Sequence, residues 1–123
     1  MEITMSTRCN IIIKDGEDKL FFYRHSDGYP DGVKATLNEF LDMVKNGKIR
    51  NNLSQAAGWL ILIGHKEYLP ECPADAISDW KVGAYEPTTS IHGDIEYLYE
   101  IDLEKETLNG WTHDGNKKGK KVL

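Results

Sequence analysis

In TRCNIIIKDGEDKLFFYRH, residues 7–25, two apolar runs flank an Asp-Gly dipeptide of the kind that closes a tight hairpin. Counting inward from this turn predicts three cross-strand pairs: Lys14 with Lys19, Ile12 with Phe21, and Arg8 with His25. Each run carries apolar side chains on both faces of the predicted strand. We therefore expect this hairpin to lie in the middle of its sheet.

Two helical segments follow the hairpin. Apolar residues recur at helical spacing after Asp31, which we expect to cap the first helix, and Asn46-Gly47 is typical of its end. The segment NNLSQAAGWLILIGHKEY, residues 51–68, predicts a second, largely buried helix ending near Gly64, although its WLILI run also fits a buried strand. His65 is expected to cap or pack this helix, with a place in a pocket as the alternative.

The second half of the chain predicts strands. WKVGAYE, residues 80–86, reads as a short strand, and another is expected around residues 108–111. Between them DIEYLYEIDL, residues 94–103, alternates so that its apolar odd-numbered residues share one face. The order ββααβββ predicts an α+β fold, a mainly antiparallel sheet with two helices packed on one face. We expect a single domain over residues 1–111 and a basic, flexible C-terminal tail over residues 112–123.

Length and charge restrict the function classes. The chain has 123 residues and a net charge of −5, and because residues 117–123 hold four lysines and no acid, the rest stands at −9. This excess of negative charge disfavours general nucleic-acid binding, because phosphates are repelled. The basic tail could still contact an anionic partner. Alternatively, the acidic surface could itself mimic nucleic acid. Neither a membrane span nor a signal-like N-terminus is evident, and Cys9 and Cys72 form no disulfide or metal-binding spacing. We expect a cytoplasmic protein without membrane association.

The stretch YRHSDGYP, residues 23–30, concentrates ionisable groups just after an apolar run. Arg24, His25 and Asp27 follow one another closely, and the hairpin register brings Arg8 to the same end. Such a set can bind a phosphate-like anion, with Tyr29 or Tyr85 stacking on the ligand. The alternative is a turn-rich connection into the helix, in which the polar groups bond only to local amides.

A second polar loop, EPTTSIHGD at residues 86–94, repeats the His-x-Asp spacing with His92 and Asp94. Thr89 adds a hydroxyl donor, and Tyr85 precedes the loop. If the two loops line one pocket, His25 and His92 should lie within about 10 Å of each other, with a tyrosine, Tyr29 or Tyr85, between them. No third histidine stands at a ligand-like spacing, so we predict neither a metal nor a cofactor.

Two classes of function follow from these residues. In the first, the protein binds a small anionic ligand such as a nucleotide, or a host protein, without turnover. The ligand-binding residues would be Arg8, Arg24, His25, Tyr29, Tyr85, Thr89, His92 and Asp94. In the second, it is a small hydrolase or phosphodiesterase in which His25 is the general acid or base and Asp27 orients it. We favour binding, because catalysis needs a second acid or base and only His92 offers one. The residues leave the oligomeric state open, a homo-oligomer included.

Four stretches resemble a mostly uncharacterised family of small proteins encoded in bacteriophages, prophages and gut bacteria. They are STR at residues 6–8, YRHSDGYP at 23–30, GWLI at 58–61, and YEP to HGD at 85–94, and the likeness extends from residue 6 to about residue 111. The resemblance implies a phage-linked accessory role that modulates host defence or host metabolism. It implies no type of reaction.

Overall fold

Six strands and two helices form the part of the chain that the structure, a computed structural model, describes: residues 7–67, 84–115 and 117–123. In chain order they are β1 (Cys9–Asp15), β2 (Asp18–Arg24), α1 (Pro30–Lys45), α2 (Leu53–Lys66), β3 (Glu86–Thr88), β4 (Tyr97–Asp102), β5 (Thr107–Asp114) and β6 (Lys117–Lys121). The strands form one sheet in the order β3-β2-β1-β4-β5-β6. Only the β1–β4 pair is parallel; the other four are antiparallel. The predicted α+β class is confirmed, with one strand more than expected.

The first hairpin has the predicted register. Lys14 pairs with Lys19 and Ile12 with Phe21, and the strands end at the Cys9–Arg24 pair, one position before Arg8 and His25. Gly16 takes a positive φ of 64° in the turn, a conformation that glycine adopts without steric cost. Both strands are interior to the sheet, as their two-sided apolar pattern indicates.

The helices lie where the spacing predicts them, but the start of α1 differs. Its N-cap is Tyr29, with Pro30 in the first turn, so the expected cap at Asp31 is wrong. Proline suits the first helical position because its φ is already helical and its missing N–H would have no partner there. The Asn52 side chain caps α2 by accepting the Gln55 backbone N–H at 2.9 Å.

Both helices pack on one face of the sheet, where most of the core lies. The fully buried aromatic side chains there are Phe22, Phe40, Tyr85 and Tyr99. A smaller apolar cluster of Ile12, Ile95 and Leu98 occupies the opposite face, which we call the loop face because residues 89–96 cross it. Ile95 was expected to share a face with Tyr97 and Tyr99. It instead precedes β4 and packs on the loop face, because strand alternation begins only at Tyr97.

The C-terminal residues form a strand instead of the expected flexible tail. β5 continues to Asp114, beyond the predicted domain boundary at residue 111, and β6 pairs with it antiparallel. Leu123 packs against the helix-side core beside Gly110, and the Val122 N–H donates to the Gly110 carbonyl at 2.8 Å. Lysines are common on edge strands, where their side chains reach water while the backbone pairs on one side.

Part of the predicted third strand lies outside the described residues. Within the expected span of 80–86, only Ala84, Tyr85 and Glu86 are described, and β3 begins at Glu86. Trp80 and Cys72 also lie outside the described ranges. Neither α1 nor α2 is long and apolar enough to cross a membrane, and these are the helices of the described chain.

Candidate functional site

The two polar loops predicted from the sequence meet at one end of the sheet. β1 begins where the antiparallel β2 ends, which places Arg8 beside His25 at that end. Because β4 runs parallel to β1, the loop that precedes β4 reaches the same rim. The Glu96 N–H donates to the Arg8 carbonyl at 2.9 Å and ties this loop to the start of β1.

Tyr23 lies at the centre of the residues that converge there. Its hydroxyl lies 2.9 Å from His25 Nδ1, and its ring stacks on His92 with centroids 4.1 Å apart and planes 13° apart. Arg8 and Asp94 complete the group through an ion pair between Arg8 Nε and Asp94 Oδ2 at 3.4 Å. We call these five residues the Tyr23 cluster. The bridging aromatic residue is Tyr23, so the expectation of Tyr29 or Tyr85 in that position is wrong.

Asn10 holds the second loop against the sheet. It is fully buried in β1, where its side-chain amide donates to the Phe22 carbonyl at 2.8 Å. Its side-chain oxygen accepts the His92 backbone N–H at the same distance. Thr88 adds a contact of 3.1 Å between its hydroxyl and His92 Nε2. His92 is therefore held through its backbone N–H, through ring atom Nε2 and through the stacked face of its ring.

Arg8 and Asp94 balance each other's charge in the cluster, but the ion pair between them is loose. Arg8 Nε is buried and makes no hydrogen bond in the described chain, and the Asp94 side chain is 60% exposed. Burial raises the pKa of Tyr23, the Asp94 carboxylate raises it further, and Arg8 opposes the rise. Tyr23 thus stays a neutral hydroxyl that can donate or accept a hydrogen bond.

His25 and Asp27 do not form the expected pair. The hydrogen-bond partner of the His25 ring is Tyr23. Asp27 is exposed in a left-handed conformation, with φ of 56°, and its carboxylate has no hydrogen bond or ion pair to any described residue. A short polar side chain tolerates this conformation, so Asp27 serves the turn.

Arg24 and Tyr85, predicted as ligand-binding residues, lie on the helix side of the sheet. Arg24 is only 6% exposed, and its Nη1 lies 2.7 Å from Glu67 Oε2 at the end of α2. Its guanidinium also lies 5.0 Å from the centre of the fully buried Tyr85 ring. Because side chains alternate along β2, Tyr23 and His25 face one way and Arg24 the other. The prediction that Arg8, Arg24 and His25 share one volume is therefore wrong.

Tyr29 and Thr89 also lie apart from the Tyr23 cluster. Tyr29 is 40% exposed at the start of α1, and Thr89 is exposed in the loop. The hydroxyl that contacts His92 belongs to Thr88. Thr88 is the last residue of β3 and pairs with Phe21, whereas Thr89 lies beyond the strand.

A cleft of about 180 Å³ adjoins the Tyr23 cluster on the loop face. Its lining residues are Ile91, His92, Gly93, His113 and Gly115. His113 was not among the residues expected at the site, since the sequence predicts a flexible tail over residues 112–123. The alternation of Trp111 and His113 with polar residues was the available signal that the strand continues to this point.

Within the described ranges, no group of three or more histidine, cysteine, aspartate or glutamate side chains is placed to hold a metal ion. The grooves along the outer sides of α1 and α2 contain none of the predicted site residues. Comparisons with protein-family models, curated proteins and solved structures found no match.

Proposed function

We propose that the protein binds a small anionic ligand at the Tyr23 cluster without turning it over. The observation that carries the proposal is the convergence of two separate polar loops on Tyr23, next to a cleft. A single polar loop is explained by local turn chemistry, whereas two loops joined by a ring stack and a buried asparagine form a built surface.

Arg8 is the group best suited to hold the anion. Its present partner is a largely exposed aspartate at 3.4 Å, and exposed ion pairs of this kind contribute about 1 kcal/mol or less to stability. An incoming phosphate or carboxylate can therefore replace Asp94 at small cost. His25 and His92 add imidazole groups that donate hydrogen bonds to an anion, and these bonds strengthen when the rings are protonated.

The hydrolase alternative has less support from the geometry. It needs a carboxylate that orients His25, and the ring contacts the Tyr23 hydroxyl while Asp27 stays apart. The resemblance to phage and prophage proteins supports placing the binding in an accessory role that acts on host defence. The absence of a disulfide-like cysteine pattern in the sequence supports a cytoplasmic setting.

The test is calorimetric titration with inorganic phosphate and with adenosine monophosphate. Arg8→Ala should weaken binding by about tenfold or more, because a hydrogen bond to a charged group contributes about 1.5–3 kcal/mol. Asp94→Asn should strengthen it by up to about fivefold, since it removes the competing carboxylate.

Arg50→Ala is the matched control, since it removes an exposed arginine just before α2, away from the cluster. Equal affinities of wild type and Arg8→Ala for these anions would exclude the Tyr23 cluster as the binding site. If neither probe binds the wild-type protein, the proposed function is wrong for these anions.

A further inference from the structure

His113 lines the cleft beside the Tyr23 cluster, and its ring carries a buried polar atom. Its side chain is 9% exposed, and its backbone N–H is held by the Glu96 carbonyl at 2.8 Å. Its Nδ1 is buried and finds no hydrogen-bond partner among the described residues. A buried polar atom without a partner costs about 1–3 kcal/mol, so this ring retains hydrogen-bonding capacity that the protein itself does not use.

Two glycines, Gly93 and Gly115, line the cleft together with the histidines. A Cβ atom added at Gly93 or at Gly115 would meet no atom within 4 Å. Neither residue donates its N–H to a backbone carbonyl in the described chain. Oxyanions bound to proteins commonly accept hydrogen bonds from backbone N–H groups, and imidazole N–H groups can donate further ones.

We propose that the cleft between His92 and His113 holds the anionic group of the ligand, and that it admits one phosphate, sulfate or carboxylate group. This inference rests on the proposed function and assigns the anion to a definite place. The volume of about 180 Å³ is below the roughly 300 Å³ at which pockets for whole small molecules begin. A larger ligand would place only its anionic end there, with the remainder over the Tyr23 cluster.

The charges around the cleft allow an anion. Asp94, next to Gly93, pairs with Arg8, and an anion in the cleft that displaces this carboxylate gains Arg8 as a further partner. Asp114 follows His113 in β5 and lies on the opposite face by strand alternation. Lys118 is the cross-strand partner of His113, and its Nζ lies 3.9 Å from the centre of the Trp111 ring.

The test uses the four histidines of the chain as separate reporters. Imidazole signals from long-range ¹H–¹⁵N spectra are followed as inorganic phosphate replaces chloride at constant ionic strength. His92 and His113 should shift together along one saturable curve. His65 on α2, on the far side of the sheet, is the internal control and should not follow that curve.

One substitution adds bulk at the lining of the cleft without removing a polar group. Gly93→Val adds a side chain into space that is open in the structure, and no positive φ strains the backbone there. It should weaken phosphate binding by about tenfold or more, the loss expected when one charge-assisted hydrogen bond is prevented. Gly58→Val on α2, where the space is equally open, is the matched control and should bind phosphate as wild type does.

The two proposals fail in different ways. If phosphate binding depends on Arg8 but leaves His113 unshifted and survives Gly93→Val, the cleft is not the anion site and the proposed function stands. If adenosine monophosphate binds through Arg8 and phosphate does not bind, the cleft is likewise excluded. If neither anion binds, both proposals are wrong.

Discussion

Cys9 is a single side chain whose protonation is coupled to folding. It is fully buried at the start of β1, and burial raises the pKa of its thiol to about 12, against a smaller lowering by Arg24. Its ordinary pKa is 9.0, so between about pH 9 and pH 12 the unfolded chain loses this proton while the folded chain keeps it. The free energy of unfolding must therefore fall as the pH rises through this window.

We expect the Cys9 contribution to be about 2 kcal/mol between pH 8 and pH 10.5. Urea unfolding at these two pH values measures it, with Cys9→Ala losing less stability than wild type on the same change. The comparison is needed because burial also raises the pKa values of Tyr85 and Tyr99. In a Cys72→Ser background, iodoacetamide should modify Cys9 only after urea is added. Rapid alkylation of the native protein at pH 8 would contradict its burial.

Some of the candidate site was readable from single residues, and some was not. Counting from the Asp-Gly turn placed Arg8 and His25 at one end, because hairpin register is a local property. The same counting rule separates Arg24 from His25, since neighbours in a strand face opposite ways, and grouping them ignored that rule. Asn10 could not have been identified, because its partners, Phe22 and His92, are brought to it by the fold.

At the scale of elements, two glycines in α2 should respond in opposite directions to the same change. Alanine in a helix interior is favoured over glycine by up to about 1 kcal/mol. At Gly58 nothing lies within 4 Å of an added Cβ, whereas at Gly64 the Tyr85 ring lies 2.6 Å away. Tyr85 is fully buried and cannot move aside cheaply.

Gly58→Ala should therefore raise the free energy of unfolding by up to about 1 kcal/mol, while Gly64→Ala should lower it by about 1–3 kcal/mol through overpacking. Chemical denaturation of the two variants beside wild type provides the measurement, and each variant controls for the other. Stabilisation by both substitutions would mean that α2 does not pack closely on Tyr85.

Elements with local signals were predicted well, and those with distant partners were not. The first hairpin and both helices depend on turns, caps and spacing within a few residues. The parallel pairing of β1 with β4 joins segments about eighty residues apart, and no local pattern specifies it. It is nevertheless this pairing that brings the His92 loop to the rim where Arg8 and His25 lie.

Over the whole molecule, the sheet separates stability from the proposed binding. The helix face holds the large core and the partly buried Arg24–Glu67 pair, while the loop face carries the Tyr23 cluster over only a small apolar cluster. Because the Tyr23 cluster and the main core lie on opposite faces of the sheet, substitutions at Arg8 or His92 should leave the main core intact. Variants in the cluster can then be compared without large differences in folding.

The C-terminal strand tests whether the sheet depends on its last residues. Deleting residues 117–123 removes β6 together with Leu123, which packs on the helix-side core, and it uncovers the edge of β5. We expect the free energy of unfolding to fall by about 1–3 kcal/mol, the value of burying one large apolar side chain, and the uncovered edge to promote self-association. Urea unfolding and size-exclusion chromatography measure the two effects.

Replacing the four β6 lysines with glutamine removes the charges of the strand but keeps its backbone pairing and Leu123. It therefore distinguishes the contribution of the charges from that of the strand. This variant should lose no more than about 1 kcal/mol, because single surface substitutions usually change stability by about 0.5 kcal/mol or less and Lys118 also gives up its contact with the Trp111 ring. A deletion that unfolds at the same urea concentration as wild type would show that residues 117–123 contribute nothing to the fold, as expected of a flexible tail. A large loss in the lysine variant alone would instead assign the stabilising role to the charges, because the backbone pairing and the Leu123 contact are unchanged in it.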